Sequence, residues 1–185
     1  MNPKESADST IRVVVVNESG FIREGICQVI ERFDNIEVVA SIPSPHELSD
    51  MVQHMRIDVA LIDAQLSNQA GFEATRRVHQ SGANTQVVIQ SVNPSIAEVK
   101  RAFQAGANGF LLREAGVDEL EMALHAAVKG QVFLCPTIIR RLSEGRVEEA
   151  QPEVDHKPHI IAHDRHSIDD ILSTALRLGI LRQEQ

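Results

Sequence analysis

The most constraining feature of this sequence is a regular alternation of short apolar runs with segments of helical periodicity. Five runs rich in Val, Ile and Leu predict strands at residues 11–16, 36–40, 58–62, 86–90 and 108–112. The segments between and after them carry apolar residues at helical spacing, at 20–33, 45–54, 70–81, 95–105 and 117–129. Strands that are apolar along their whole length indicate a sheet that is covered on both faces. The alternation therefore predicts an α/β fold with a doubly wound, five-stranded parallel sheet.

The rest of the chain forms an appendage to this one domain. The predicted boundaries are a polar leader at 1–10, the domain at 11–130, an extra helix at 131–145, a linker at 146–166 and a final helix at 167–185. The extra helix starts at Pro136, where a missing N–H costs little, and ends near Ser143. The linker is polar, lacks periodicity and contains prolines.

The final predicted helix is amphipathic. Ser167 is expected to be its N-cap, with Asp170 three residues further on. Its apolar stripe consists of Ile168, Ile171, Leu172, Ala175 and Leu176. Such a stripe needs a partner surface, which is another protein, a second copy of the chain or the domain itself.

Composition and charge argue against several functions. With 3% aromatic residues and a formal net charge of -8, the chain is poorly suited to bind a nucleic acid. Its apolar runs are far shorter than a membrane span and its first ten residues hold no signal core, so we expect a cytoplasmic protein. Cys27 and Cys135 are too few for a disulfide framework or a structural zinc site.

Two patterns in the second half of the chain bear on metal or heme binding. Cys135-Pro136 is similar to the short Cys-Pro heme-regulatory motif, and the tail contains His156, His159, His163 and His166. A Cys-Pro dipeptide is frequent by chance, and histidines in a polar linker are usually solvated. The pattern of a catalytic zinc site does not accompany them, so the sequence favours neither ligand.

Polar side chains follow the predicted strands at one edge of the sheet. Asn17 and Glu18 follow the first strand, Asp63 the third, Ser91 the fourth and Arg113 the fifth. Strand ends are often polar simply because the chain emerges there into water. Ligands of open parallel sheets, however, bind outside the carboxyl ends of the strands, so these side chains form a candidate site. A carboxylate nucleophile, hard oxygen ligands for Mg²⁺, a hydroxyl and a fixed cation together predict phosphoryl chemistry.

Four segments at these strand ends resemble receiver domains of response regulators, in particular the NarL/FixJ group. They are IRVVVVNESGFIREG at 11–25, DVALIDAQLSNQAGFEATRRV at 58–78, VVIQS at 87–91 and AGANGFLLREA at 105–115. With the extra helix led by FLCPTIIRRL, the resemblance extends over about residues 11–143. It implies a flavodoxin-like, CheY-like fold with strand order 2-1-3-4-5, and a signalling protein of two-component phosphorelays rather than an enzyme.

The resemblance also implies roles for residues at the sheet edge. Asp63 matches the phospho-acceptor. Glu18 matches the second member of the acidic pair that holds Mg²⁺, Asn17 occupies the first position of that pair, and Gln65 lends its backbone carbonyl to the metal. A histidine kinase or a small phosphodonor would supply the phosphoryl group.

Three further matches concern the response to phosphorylation. Ser91 matches the hydroxyl that follows the phosphoryl group, Phe110 matches the aromatic residue that changes rotamer with it, and Arg113 stands at the position of the family's lysine. The partner is expected to be a protein that binds the receiver surface or the final helix, with a homodimer as one form of this.

Three departures from the family pattern fall on the site itself. The acidic pair is Asn17-Glu18 rather than two aspartates, which predicts weaker Mg²⁺ binding. Arg113 is larger than lysine and presents a planar fork. The loop after Asp63 lacks the usual proline, which predicts a looser turn.

These departures leave a second interpretation open. In it, Arg113 forms an ion pair with Asp63 that locks one conformation, and a degenerate receiver serves as a phosphorylation-independent interaction or dimerisation module. In both interpretations DNA is not the expected partner, because the tail is too short and too acidic for a LuxR-type DNA-binding domain.

Overall fold

The computed structural model describes residues 10–138 and 160–162. Its strands are β1 (Ile11–Val16), β2 (Ile36–Ile42), β3 (Val59–Asp63), β4 (Gln86–Ser91), β5 (Gly109–Leu112), β6 (Val132–Leu134) and β7 (Ile160–Ala162). Its helices are α1 (Gly20–Ile30), α2 (Leu48–His54), α3 (Ala70–Gln80), α4 (Ile96–Ala105) and α5 (Val117–Val128). Two short 3₁₀ helices, Pro45–Glu47 and Ser67–Gln69, precede α2 and α3.

All seven strands belong to one sheet with the order β2-β1-β3-β4-β5-β6-β7. The strands from β1 to β6 pair in parallel, and β7 pairs antiparallel with β6. The inner strands β3 and β5 bury every side chain, whereas the edge strand β2 is half-exposed along most of its length. The structure thus confirms the doubly wound fold and the strand order 2-1-3-4-5. The inner strands are covered on both faces, which is why they need apolar residues on both faces.

The sequence does not predict β6 and β7, which extend the sheet beyond β5. β6 contains three residues, too few to show a periodicity of their own, and Phe133 and Leu134 pair with Gly109 and Phe110 of β5. β7 lies within the segment that the sequence predicts to be a linker. There it pairs with β6 and covers a strand edge that would otherwise carry unpaired backbone groups.

Several predicted elements extend beyond the described residues. Of the segment predicted as an extra helix at 131–145, residues 132–134 form β6 instead and residues 136–138 are helical, while the continuation to Ser143 lies outside the described ranges. The leader up to residue 9, the final helix at 167–185 and the four tail histidines also lie outside them. Within residues 10–138 and 160–162, no helix combines the length and the apolar character that crossing a bilayer requires.

Gly71, in the first turn of α3, allows this helix to pack directly against the end of β3. A Cβ atom at this position would lie 2.6 Å from the backbone oxygen of Asp63 and 3.4 Å from Cγ2 of Ile62. Contacts as short as the first do not occur without movement of the backbone. Gly25, in α1, provides a contrast, because a Cβ atom there meets nothing within 4 Å.

We expect Gly71→Ala to lower the free energy of unfolding by about 1–3 kcal/mol, because α3 must shift away from Asp63. Gly25→Ala is the matched control, since it makes the same change inside another helix. It should raise the free energy of unfolding by roughly 0.5–1 kcal/mol, because alanine is the better helix former. Urea unfolding of both variants measures these values, and a Gly71→Ala variant as stable as the wild type would contradict the close approach.

Candidate functional site

Asp63 lies at the carboxyl end of β3, where it is only 7% exposed and surrounded by hydrogen-bond donors. Its Oδ2 atom accepts hydrogen bonds from Asn17 Nδ2 at 2.8 Å and from an Arg113 guanidinium nitrogen at 2.6 Å. Its Oδ1 atom accepts one from the backbone N–H of Gln65 at 3.0 Å. A buried carboxylate needs such partners, because an unpaired buried charge is costly. The structure therefore brings three of the predicted site residues, Asn17, Gln65 and Arg113, around the carboxylate of a fourth, Asp63.

The strand register explains why these residues meet. Val16 of β1 lies beside Ile62 of β3, so the next residues along the two strands, Asn17 and Asp63, emerge side by side. The ends of β4 and β5 are tied together in a similar way, because the backbone N–H of Arg113 donates to the carbonyl of Ser91 at 2.7 Å. Parallel pairing thus collects residues that are up to about a hundred positions apart in the sequence.

The Arg113 guanidinium forms an ion pair with Asp63 and still has hydrogen-bonding capacity left. The same nitrogen that contacts Asp63 lies 3.3 Å from Oε1 of Gln65. The Nε atom of Arg113 is buried and has no hydrogen-bond partner among the described residues. A buried donor without an acceptor costs about 1–3 kcal/mol. Because this atom is buried, an acceptor from outside can reach it only if the guanidinium moves.

Glu18, expected to hold Mg²⁺, is exposed and binds the loop that follows Asp63. Its Oε1 atom accepts a hydrogen bond from the Ser67 backbone N–H at 2.7 Å, and its Oε2 atom accepts one from the Ser67 hydroxyl at 3.0 Å. Asn68 and Gln69, next in this loop, have left-handed φ angles of 57° and 59°. Such angles are costly for residues other than glycine and persist only where the surroundings hold them. Two hydrogen bonds from Ser67 to Glu18 thus hold one residue of this loop, while the looser turn stays a prediction.

Ser91, at the end of β4, is 1% exposed and donates its hydroxyl proton to Glu98 Oε1 at 2.8 Å. Glu98 belongs to the first turn of α4, whose N-cap Ser95 accepts a hydrogen bond from the Glu98 backbone N–H at 3.2 Å. Sequence reasoning missed Glu98. The available signal is the pattern Ser-x-x-Glu at 95–98, which predicts a capping box in which the glutamate turns back to its own helix. Instead, the carboxylate contacts Ser91.

Phe110 lies in β5 and is completely buried. It pairs with Ile89 of β4 and with Leu134 of β6. The predicted switch residue is thus part of the core in this conformation, one strand away from Ser91.

The side chains at this edge of the sheet include the type of oxygen ligand that Mg²⁺ prefers, but fewer carboxylates than a pair of aspartates beside Asp63 would supply. Asp63 and Glu18 carry carboxylates, which are the hard oxygen ligands that Mg²⁺ prefers. Asn17 turns its amide nitrogen toward Asp63, while its oxygen accepts a hydrogen bond from the Ser19 backbone N–H at 2.9 Å. In the described part of the chain, no three His, Cys, Asp or Glu side chains form a metal-binding group.

Cys135 is completely buried beside the end of β6 and does not fit a heme ligand. Burial raises the pKa of its thiol to about 11. The buried position therefore favours the neutral thiol over the thiolate.

Comparison with known proteins identifies the class to which this fold and site belong. The response regulator receiver domain family matches residues 13–125, and the chain is a member of that family. The chain is 30% identical over 155 residues to the response regulator GacA of Pseudomonas viridiflava, covering 84% of this chain and 71% of that protein. It is 25% identical over 143 residues to the response regulator UvrY of Escherichia coli K12, covering 77% of this chain and 66% of that protein.

Solved structures agree with this assignment. A LuxR-family two-component response regulator from Aurantimonas sp. SI85-9A1 superimposes with a TM-score of 0.67 at 30% identity, covering 76% of this chain and all of that one. The chain is thus a response regulator receiver of two-component systems. Members of this family are generally signalling proteins rather than enzymes, and receiver domains generally bind Mg²⁺ through acidic residues.

Burial of Cys135 predicts that its thiol does not react in the folded protein. In a Cys27→Ala variant, a thiol-alkylating reagent at pH 8 should label Cys135 only as fast as the protein unfolds. If mass spectrometry shows labelling of Cys135 within seconds under native conditions, the thiol is exposed and the prediction is wrong.

Burial of Cys135 also predicts a pH dependence of stability. Because the folded-state pKa of about 11 exceeds the ordinary value of 9.0, the thiol's contribution to stability is complete below about pH 9 and is lost as the pH rises toward 11.

Proposed function

We propose that this protein accepts a phosphoryl group on Asp63 and thereby switches a protein-binding surface. The observation that carries the proposal is the donor lining of Asp63, which includes a guanidinium whose buried Nε atom has no partner among the described residues. A phosphoryl group brings three anionic oxygens into this lining. Donors that are already oriented toward an anion stabilise it without further reorganisation.

In the proposed reaction, a carboxylate oxygen of Asp63 is the nucleophile. It forms a bond to phosphorus while the bond from phosphorus to the donor breaks, which is a P–N bond in a phosphohistidine or a P–O bond in a small acyl phosphate. The leaving group departs with the bonding electron pair. Arg113 and Asn17, which hold the carboxylate in this structure, then have the phosphoryl oxygens as acceptors.

We further propose that Asp63, Glu18 and the backbone carbonyl of Gln65 hold Mg²⁺, with Asn17 as the weak member of the set. When bound, the cation neutralises charge on the transferred oxygens. Glu18 has to release at least one of its two hydrogen bonds to Ser67 in order to contribute an oxygen. Weaker metal binding than at a pair of aspartates follows from that competition and from the missing charge at Asn17.

The output is proposed to pass through protein contacts. Ser91 and Phe110 lie on β4 and β5, so a rearrangement at Asp63 reaches the surface formed by α4 and β5. A histidine kinase or a small phosphodonor supplies the phosphoryl group, and the partner is another protein or a second copy of this chain. The net charge of -8 disfavours nucleic acid as the partner.

One observation favours a second candidate function. The 2.6 Å ion pair between Arg113 and Asp63 already places a positive charge on the acceptor. An ion pair that persists would hold one conformation permanently, and the protein would then act as a phosphorylation-independent interaction module.

Incubation with Mg²⁺ and a small acyl-phosphate donor should add one phosphoryl group, labile at alkaline pH, as measured by intact mass. Asp63→Asn should abolish the addition. Asp58→Asn is the matched control, because Asp58 precedes the same strand at its opposite end and should leave the modification intact. Arg113→Lys should change the lifetime of the phosphoryl group but not the acceptor. An unmodified wild type at high Mg²⁺, together with unchanged partner binding in Asp63→Asn, would favour the second candidate.

Asn17→Asp should strengthen Mg²⁺ binding, because a second carboxylate restores ligand charge around a hard cation. The melting temperature should therefore rise more steeply with Mg²⁺ concentration in this variant than in the wild type, since a bound ligand stabilises the folded state. The same variant should reach a given level of phosphorylation at lower Mg²⁺. A variant with both Asn17→Asp and Asp63→Asn is the control, and an identical Mg²⁺ response in all three proteins would contradict the proposed ligand set.

A further inference from the structure

The hydroxyl group of Ser91 is already committed to an acceptor in this structure. It is buried at the end of β4 and donates to Glu98 Oε1 at 2.8 Å. A serine hydroxyl carries a single proton, so it can donate to one acceptor at a time. In the proposed function, however, the same hydroxyl has to donate to a phosphoryl oxygen on Asp63.

Glu98 is placed so that its carboxylate connects the sheet edge to α4. Its backbone N–H is capped by the Ser95 side chain, which fixes the first turn of the helix. Its side chain is half-buried and reaches back across seven positions to Ser91 instead of completing the capping box. The hydrogen bond is charge-assisted, a class about twice as strong as a bond between neutral groups.

We propose that Glu98 is a positioning residue that holds the Ser91 hydroxyl away from Asp63 in the unphosphorylated state and competes with the phosphoryl group for its proton. This inference rests on the proposed function of Asp63 and specifies how its phosphorylation is communicated. When a phosphoryl group is added to Asp63, its negative charge, about −1.5 to −2, repels the Glu98 carboxylate and attracts the proton of the Ser91 hydroxyl. Transfer of the hydrogen bond releases Glu98 and, with it, the first turn of α4.

The first measurement is hydrogen exchange of α4 in the unphosphorylated chain. In Glu98→Ala and in Ser91→Ala, amide exchange at residues 98–100, the first amides of α4 with an acceptor, should rise by roughly tenfold, the scale of one charge-assisted hydrogen bond. The double variant should exchange no faster than either single variant, because both changes remove the same bond. Glu73→Ala is the matched control, since Glu73 occupies the first turn of α3 and forms exposed ion pairs with Arg76 and Arg77; it should leave α4 unchanged.

The second measurement separates positioning from a purely structural role. At a limiting concentration of acyl-phosphate donor, Glu98→Ala should raise the steady-state fraction of phosphorylated protein several-fold, because the freed Ser91 hydroxyl stabilises the phosphoryl group. The increase should disappear when Ser91→Ala is added. Glu98→Gln, which retains an acceptor oxygen without the charge, should give an intermediate value.

The outcomes distinguish the two levels of the proposal. If no protein becomes phosphorylated, the proposed function fails, while non-additive exchange of α4 still supports the link between Glu98 and Ser91. If the wild type is phosphorylated but Glu98→Ala neither changes α4 exchange nor raises the phosphorylated fraction, the positioning role is wrong. An increase that persists in the absence of the Ser91 hydroxyl would also overturn it.

Discussion

The carboxylate of Asp63 is the constraint on which the rest of this structure depends. It ends a strand that is buried along its whole length, and its charge has to be compensated where little water reaches it. The compensation comes from Asn17 after β1, from the backbone of Gln65 and from Arg113 after β5. A change of register in the inner sheet would therefore uncouple the acceptor from its donors as well as disturb the core.

Around this centre, each nearby carboxylate connects the site to a different part of the surface. Glu18 holds the loop that precedes α3, and Glu98 holds Ser91 and the first turn of α4. The hydrogen bonds of both carboxylates compete with the chemistry proposed for the site. Mg²⁺ would need an oxygen of Glu18, and a phosphoryl group would need the hydroxyl proton of Ser91. In the proposed function, this competition is the physical basis of a switch, because the hydrogen bonds seen here would be exchanged for others on phosphorylation.

The departures from the family pattern have a structural meaning in this arrangement. Asn17 contributes a donor to Asp63 where an aspartate would add a second negative charge. Arg113 forms an ion pair with the same oxygen, and its buried Nε atom has no partner among the described residues. Together they surround Asp63 with hydrogen-bond donors and a positive charge, so we expect the proposed metal binding to be weakened and the proposed phosphoryl group to be stabilised.

The sequence by itself predicted the fold class and the first five strands, which the structure confirms, and its resemblance to receiver domains supplied their order. The role of Asp63 as phospho-acceptor stays a prediction of that resemblance. The strands and the fold class follow from local information, because alternating periodicity defines the elements, and parallel strands present their carboxyl ends, and so the candidate site, at one edge. It did not determine β6 and β7, since runs of three residues carry no periodicity and become strands only by pairing with a neighbour. Likewise, only the tertiary structure decided that Glu18 binds Ser67 and that Glu98 binds Ser91. A side chain selects its partner by distance in the folded chain, and the capping pattern at 95–98 offered a local partner that the fold did not use.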